Sequence, residues 1–317
     1  MHETIREKLV GTGATIFTPF GLHYDIDFHS LEKHIVSQFE GGATTFYAMA
    51  YNSRYGLLSK EEILSLNAFC ARTVKGLSSD NILIVGDPIM GSLQEKIEFA
   101  NAARDSGADL FSALVQEKFF TVEQILDHYK LLAQGSQIPI LVHAMPSSSG
   151  YDGTQIDWPN DLLLRLSEIP EIAAIKEDSK NATLTKLALE LEPDIRVVLA
   201  GTKSNLMQFR NMGIASYLNG ISIIDASIGK VFWESFVSGS DDVTNRIIED
   251  IEAPFFDGVV AKFGWHRTNK ALLQAGGFMH RRERLPMVSL SDHEFAEVEE
   301  IYSKITVNWS NFLKENT

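Results

Sequence analysis

The sequence predicts an α/β fold, a TIM (β/α)8 barrel with a C-terminal helical extension, and three observations predict it. Eight short apolar runs recur along the first 220 residues, helical patterns with recognisable starts lie between them, and glycine closes several of those helices just before the next run. The runs are mostly continuous rather than alternating, as expected of strands covered on both faces. Strand, helix, glycine and strand in repetition demand parallel strands joined by right-handed crossovers.

The runs are TGATIF (12–17), ATTFYAMA (43–50), NILIVG (81–86), DLFSALV (109–115), IPILVHA (138–144), IAAIKE (172–177), RVVLAG (196–201) and ASYLNG (215–220). Between them, Ser59 with Glu62, Ser92 with Glu95 and Thr121 with Gln124 fit the capping box, in which side chains satisfy the free amides of a first helical turn. The glycines of Gly41-Gly42, Gly107 and Gly213 mark helix ends. No GxGxxG follows the first run, which disfavours a dinucleotide-binding open sheet. From about residue 224 the pattern is helical throughout: 224–239, 241–256, 258–277 and 291–313. Residues 1–223 are therefore read as barrel core, and 224–317 as the last barrel helix and an extension of the same structural unit.

Composition narrows the function. With 28 Lys and Arg against 42 Asp and Glu, the net charge of −14 repels polyanions, so neither nucleic acid nor an anionic membrane is an expected partner. No apolar run approaches the roughly 20 residues of a membrane span, and MHETIREKLVG lacks the apolar stretch of a signal peptide. The single Cys70 cannot form an internal disulfide, and a cytoplasmic protein is expected.

In such a barrel the reacting groups sit at the C-terminal ends of the strands. Those positions hold Thr18, then Tyr51, Asn52, Ser53 and Arg54, then Asp87, Gln116, His143, Lys176, Gly201 with Thr202 and Lys203, and Asn219. Lys176 stands out. It follows four apolar residues at the sixth strand end, where loss of solvent disfavours an ammonium and makes the neutral amine available. Such an amine attacks a ketone or aldehyde to give a Schiff base, an electron sink that needs no metal. The alternative is a lysine paired with Glu177 or Asp178. The nine histidines show no HxH, HxxxH or mixed acidic cluster with ligand spacing, so neither a metal nor a cofactor is expected.

Taken in order, GTGATIFTPF (11–20), the turn after the second strand, IPILVHAMPSSSG (138–150) and IAAIKEDS (172–179) resemble the dihydrodipicolinate synthase / N-acetylneuraminate lyase family of pyruvate-dependent class I aldolases. The likeness runs from about residue 9 to Ala275, and RLPMVSLSD (284–292) resembles that family's C-terminal segment. The resemblance implies a TIM barrel that assembles into a dimer or tetramer, with Lys176 forming a ketimine with pyruvate or another 2-keto acid. Cleavage of C3–C4 would then release an aldehyde. It also implies that Thr18 contributes to the site and that the turn Tyr51, Asn52, Ser53 and Arg54 holds the substrate carboxylate. At the far strand ends, Gly201 and Asn219 are read as substrate-binding, and Thr202, Lys203 and Asn219 as contacts to the distal hydroxyls or acid of a substrate.

Four departures from the family pattern accompany this resemblance. His143 stands where the family places a proton-relaying tyrosine; imidazole relays protons near neutrality, but its reach is shorter. The strand-2 turn has lost both of its usual glycines. Val115-Gln116-Glu117-Lys118 replaces a tyrosine pair, and Ser147-Ser148-Ser149-Gly150 replaces an arginine, which brings the chain closer to the sugar-acid lyase branch, with Ser148 as a substrate contact. The expected activity is a Schiff-base lyase on a 2-keto-3-deoxy sugar acid. A dehydratase using the same imine, or a barrel that binds a keto acid without turning it over, are the alternatives.

Overall fold

The computed structural model describes residues 2–49, 55–88, 91–115, 120–145, 147–149, 154–156 and 158–316. Its strands are β1 (Gly11–Thr15), β2 (Thr45–Ala48), β3 (Ile82–Gly86), β4 (Leu110–Ala113), β5 (Ile140–Ala144), β6 (Ile172–Glu177), β7 (Arg196–Gly201) and β8 (Ser216–Asn219). They pair in parallel in chain order, and β8 pairs with β1 to close the barrel. Each falls on one of the eight predicted runs.

The helices before and between the strands are α1 (His2–Lys8), α2 (Phe28–Glu40), α3 (Lys60–Leu77), α4 (Leu93–Ser106), α5 (Val122–Ser136), α6 (Asn160–Ser167), α7 (Ala182–Leu189) and α8 (Lys203–Gln208). Capping boxes open α3, α4 and α5 at the three predicted places. Gly107 ends α4 at φ +100°, a conformation that costs most residues a Cβ clash and glycine none. A short antiparallel pair, Ser147–Ser149 with Thr154–Ile156, lies between β5 and α6. Its polar sequence gave no strand signal.

Beyond the barrel come α9 (Ala226–Ser238), α10 (Asp241–Ile247), α11 (Trp265–Ala275) and α12 (Asp292–Glu315). The helix expected over 241–256 changes character after α10, with wider π-helical turns over Ile248–Glu252 and Pro254–Val260. Pro254 explains the change. It has no N–H to offer the carbonyl four residues back, and its ring crowds that carbonyl in an α-helix. The carbonyl is that of Asp250, which instead accepts a bond from Asn308 Nδ2 of α12 at 2.8 Å.

One apolar cluster joins the outer barrel face to the helices and runs from Ala14 to Phe312, taking in the C-terminal extension. A second fills the barrel interior with Ile82, Ile84, Leu110, Leu141, Ala174 and Val198, and Ile5 and Leu9 from the N-terminal segment join it. The chemistry therefore has a dry, packed floor. Among the described residues no helix is long and apolar enough to cross a membrane.

Candidate active site

Side chains alternate across a strand, so Leu141 and His143 of β5 point to the same side, as do Ala174 and Lys176 of β6. Because Leu141 and Ala174 belong to the barrel's interior cluster, His143 and Lys176 rise above that floor at the C-terminal end. The register places them directly opposite each other. Their side chains meet with Lys176 Nζ 2.6 Å from His143 Nε2. Lys176 is 6% exposed and His143 4%.

Lys176 Nζ also donates to Asp178 Oδ2 at 2.9 Å, and that oxygen lies 3.5 Å from His143 Nε2. The period of two accounts for the pairing: Asp178 follows Lys176 on the same side of the chain, while Glu177 turns outward. Glu177 accepts from the Ser179 amide and the Thr185 hydroxyl, each at 2.8 Å. Of the two pairing alternatives for Lys176, the structure realises Asp178. From β2, the Tyr47 ring lies 6.0 Å from Nζ, and its hydroxyl donates to Ser112 of β4 at 2.5 Å.

Burial, reinforced by the Lys176 charge, lowers the His143 pKa to about 4. Its imidazole is therefore neutral near pH 7 and able to accept a proton. Burial works against the Asp178 carboxylate, but the Lys176 charge and the His143 contact outweigh it and hold the group well below the usual carboxylate range. Burial also pushes the Tyr47 phenol up, so it stays protonated and can only donate or pack. The arrangement is an amine held between a neutral base and a fixed anion, which suits reversible proton transfer at Nζ.

Several other sequence-derived candidates occupy this end of the barrel. Thr18 is buried just beyond β1, and its carbonyl accepts from Lys270 Nζ at 2.7 Å. Gly201 ends β7, and its carbonyl accepts from the Tyr217 hydroxyl at 3.0 Å. The backbones of Asn219, at the end of β8, and Ser148, in the antiparallel pair, are placed, but their side chains lie outside the described residues. Tyr51, Asn52, Ser53, Arg54 and Gln116 lie outside the described residues altogether.

Two further strand-end candidates have partners within the fold. Thr202 caps α8, accepting from the Asn205 amide at 3.1 Å. Lys203 is fully buried, with Nζ 3.3 Å from Glu252 Oε1 and its amide 2.7 Å from Oε2. Asp87 is likewise engaged, by Lys96 at 2.5 Å. Exposure of the partner carboxylate separates these pairs from that of Lys176. Lys203 with Glu252 and Lys96 with Asp87 are sealed on both sides, whereas the Asp178 side chain is 23% exposed and opens Lys176's surroundings toward the barrel mouth. Residue reading missed Tyr47 and gave Asp178 no part in chemistry. The Lys-x-Asp spacing could have pointed to Asp178; Tyr47 left only the weak signal of a phenol inside an apolar strand.

The fold and these side chains define a closed parallel barrel with a lysine amine, an imidazole and a carboxylate in contact at the mouth of its fifth and sixth strands. The chain belongs to the Dihydrodipicolinate synthetase family, whose model matches residues 8–305. It is 25% identical to the 4-hydroxy-tetrahydrodipicolinate synthase of Archaeoglobus fulgidus over 93% of this chain and 98% of that one. The enzyme of the same name from Neisseria meningitidis serogroup B is also 25% identical, over 92% and 96%. Among solved structures, N-acetylneuraminate lyase from Fusobacterium nucleatum superposes with a TM-score of 0.83 at 17% identity, covering 94% of this chain and 99% of that one. Dihydrodipicolinate synthase from Bacillus clausii gives 0.82 at 17%, covering 95% and 99%. At such identities the two structures speak for the shared fold.

Proposed function

We propose that the protein is a Schiff-base-forming lyase that cleaves or forms a bond in a 2-keto acid through Lys176, with His143 as the acid and base. The observation that carries this reading is the 2.6 Å approach of Lys176 Nζ to a buried, neutral imidazole. Family membership agrees with it.

The chemistry runs as follows. His143 takes a proton from the Lys176 ammonium, and the freed lone pair attacks the keto carbon to give a carbinolamine. Return of the proton to the hydroxyl releases water and leaves an iminium. Burial is the larger cause of the low His143 pKa, and transfer of the proton removes the smaller one, the Lys176 charge, so the imidazolium is better tolerated once it forms. In the cleavage direction the C4 hydroxyl loses its proton as C3–C4 breaks. C4 leaves as an aldehyde and the electron pair enters an enamine. Protonation of C3 and hydrolysis return the amine and release pyruvate.

We assign the substrate to the 2-keto-3-deoxy sugar acids, with pyruvate and an aldehyde as the two partners. The run of small hydroxylated residues at Ser147, Ser148 and Ser149 supports a polyhydroxylated ligand. The resemblance extends this reading to a cytoplasmic dimer or tetramer. Borohydride added with pyruvate, followed by peptide mass analysis, tests the assignment. A stable adduct on Lys176 is expected; its absence across a panel of 2-keto acids would remove the Schiff base from the reading.

A further inference from the structure

We propose that Asp178 is a catalytic residue, the counterion that keeps the imine nitrogen on Lys176 protonated, and this inference rests on the Schiff-base reading above. Three observations lead to it. Its Oδ2 accepts directly from the reacting atom, Lys176 Nζ, at 2.9 Å. Among the described residues no other carboxylate is bonded to Nζ, since Glu177 faces Ser179 and Thr185. Its position is also fixed by the backbone: the Asp178 amide donates to Ala144 O at 3.0 Å, which holds it against the strand that carries His143.

Proton balance gives the carboxylate its task. An ammonium and a ketone become an iminium and water with no net gain or loss of protons: the carbonyl C=O double bond is replaced by a C=N double bond, and the oxygen leaves as water with two of the three nitrogen protons. The nitrogen therefore carries one positive charge before and after the reaction. An anion 2.9 Å away stabilises both end states and raises the proton affinity of the imine nitrogen in between. Only the protonated imine withdraws electrons strongly enough to support C3–C4 cleavage. His143 cannot fill this role because its neutral imidazole carries no charge, although it can carry the travelling proton.

The pair of Lys203 and Glu252 is sealed on both sides, whereas Asp178 is open enough at the mouth to remain beside Nζ once substrate is bound. The groups facing Nζ among the described residues are His143 from β5, Asp178 from its own segment and the Tyr47 ring from β2, with the Ser112 hydroxyl behind that ring. Asp178 supplies the negative charge in this set.

The test is cyanoborohydride trapping with pyruvate across a pH series, because that reagent reduces the protonated imine in preference to the neutral one. In Asp178→Asn the alkaline limit of trapping should move down by about one pH unit or more, with a matching fall in kcat. Asp178→Glu, which restores the charge, should recover much of both. Trapping in Asp178→Asn at the wild-type rate at every pH, or a defect that Asp178→Glu does not recover, overturns the counterion role while leaving the Schiff base standing. No adduct in the wild type overturns both readings.

Discussion

His143 and Lys176 are register partners on adjacent parallel strands, and their nitrogens approach to 2.6 Å. Neighbouring strands lie about 4.8 Å apart, so two inward side chains at the same height meet without a long arm. This lateral geometry compensates for the short reach of an imidazole relative to a phenol. The imidazole is placed by the barrel's own hydrogen-bond ladder.

Replacing that imidazole gives the first prediction. In His143→Phe the amine and Asp178 remain, so borohydride trapping with pyruvate should persist after long incubation. Turnover should fall by roughly 10² to 10⁴-fold, the usual contribution of a positioned acid or base. Unchanged kcat would take His143 out of the proton path.

Lys176→Met should remove the adduct and reduce kcat by at least roughly 10³-fold, as loss of a nucleophile does elsewhere. The isosteric side chain keeps contact with the Tyr47 ring, so a far-ultraviolet spectrum like that of the wild type is expected. Residual turnover above a tenth of wild type would mean that another group carries the chemistry.

The pair formed by Lys203 and Glu252 should behave as scaffold. Burial lowers the Lys203 pKa, and the Glu252 carboxylate both pairs with its ammonium and accepts its amide at the start of α8. Glu252→Ala leaves a fully buried ammonium without its carboxylate and should cost about 3–5 kcal/mol in urea unfolding. Lys203→Met with Glu252→Gln together should cost clearly less than Glu252→Ala alone. If the double variant loses as much, the pair's charge is not what matters.

Acid should weaken the fold before it reaches the range of ordinary carboxylates. His34 and His143 are both lowered to about 4 by burial, so between about pH 6.5 and 4 the unfolded chain binds protons that the folded chain refuses. Stability therefore falls with pH through that window, by about 3 kcal/mol for each such histidine. Asp178 contributes nothing to this fall, because its own loss comes at still lower pH. Asp87 and Glu177, raised by burial, act in the opposite sense, so the useful readout is a difference. Urea unfolding at pH 7 and pH 4.5 should show a smaller drop in His34→Leu than in wild type; equal drops would contradict the assignment.

The barrel was legible because its signals are local. Each strand is a run that needs two covered faces, and each capping box repeats one spacing, so the eight strands and three helix starts could be placed without tertiary knowledge. Lys176 was legible as a polar residue closing an apolar strand, and His143 as a titratable one at the next strand end. What escaped depended on long-range partners. Lys203 looked like a mouth residue until Glu252, 49 positions later, buried it. The π-helical turns needed Pro254 together with Asn308, and α1, a seven-residue helix that carries Ile5 to the interior cluster, was too short to show a period.

Lys270 supplies the last prediction, because it ties the C-terminal extension to the barrel mouth. From α11 its fully buried ammonium donates to Thr18 O at 2.7 Å, lies 3.8 Å from Glu283 Oε1 and stands 5.3 Å from the Phe20 ring. Glu283 in turn meets His266 Nε2 at 2.7 Å. Lys270→Met keeps the packing against Phe20 but removes a charge-assisted donor, leaving a buried carbonyl without it. A loss of about 1.5–3 kcal/mol is expected in urea unfolding. Because the released carbonyl belongs to Thr18 at the mouth, KM for the keto acid should rise more than kcat falls. A stability loss with KM unchanged would show that the extension braces the fold without positioning the site.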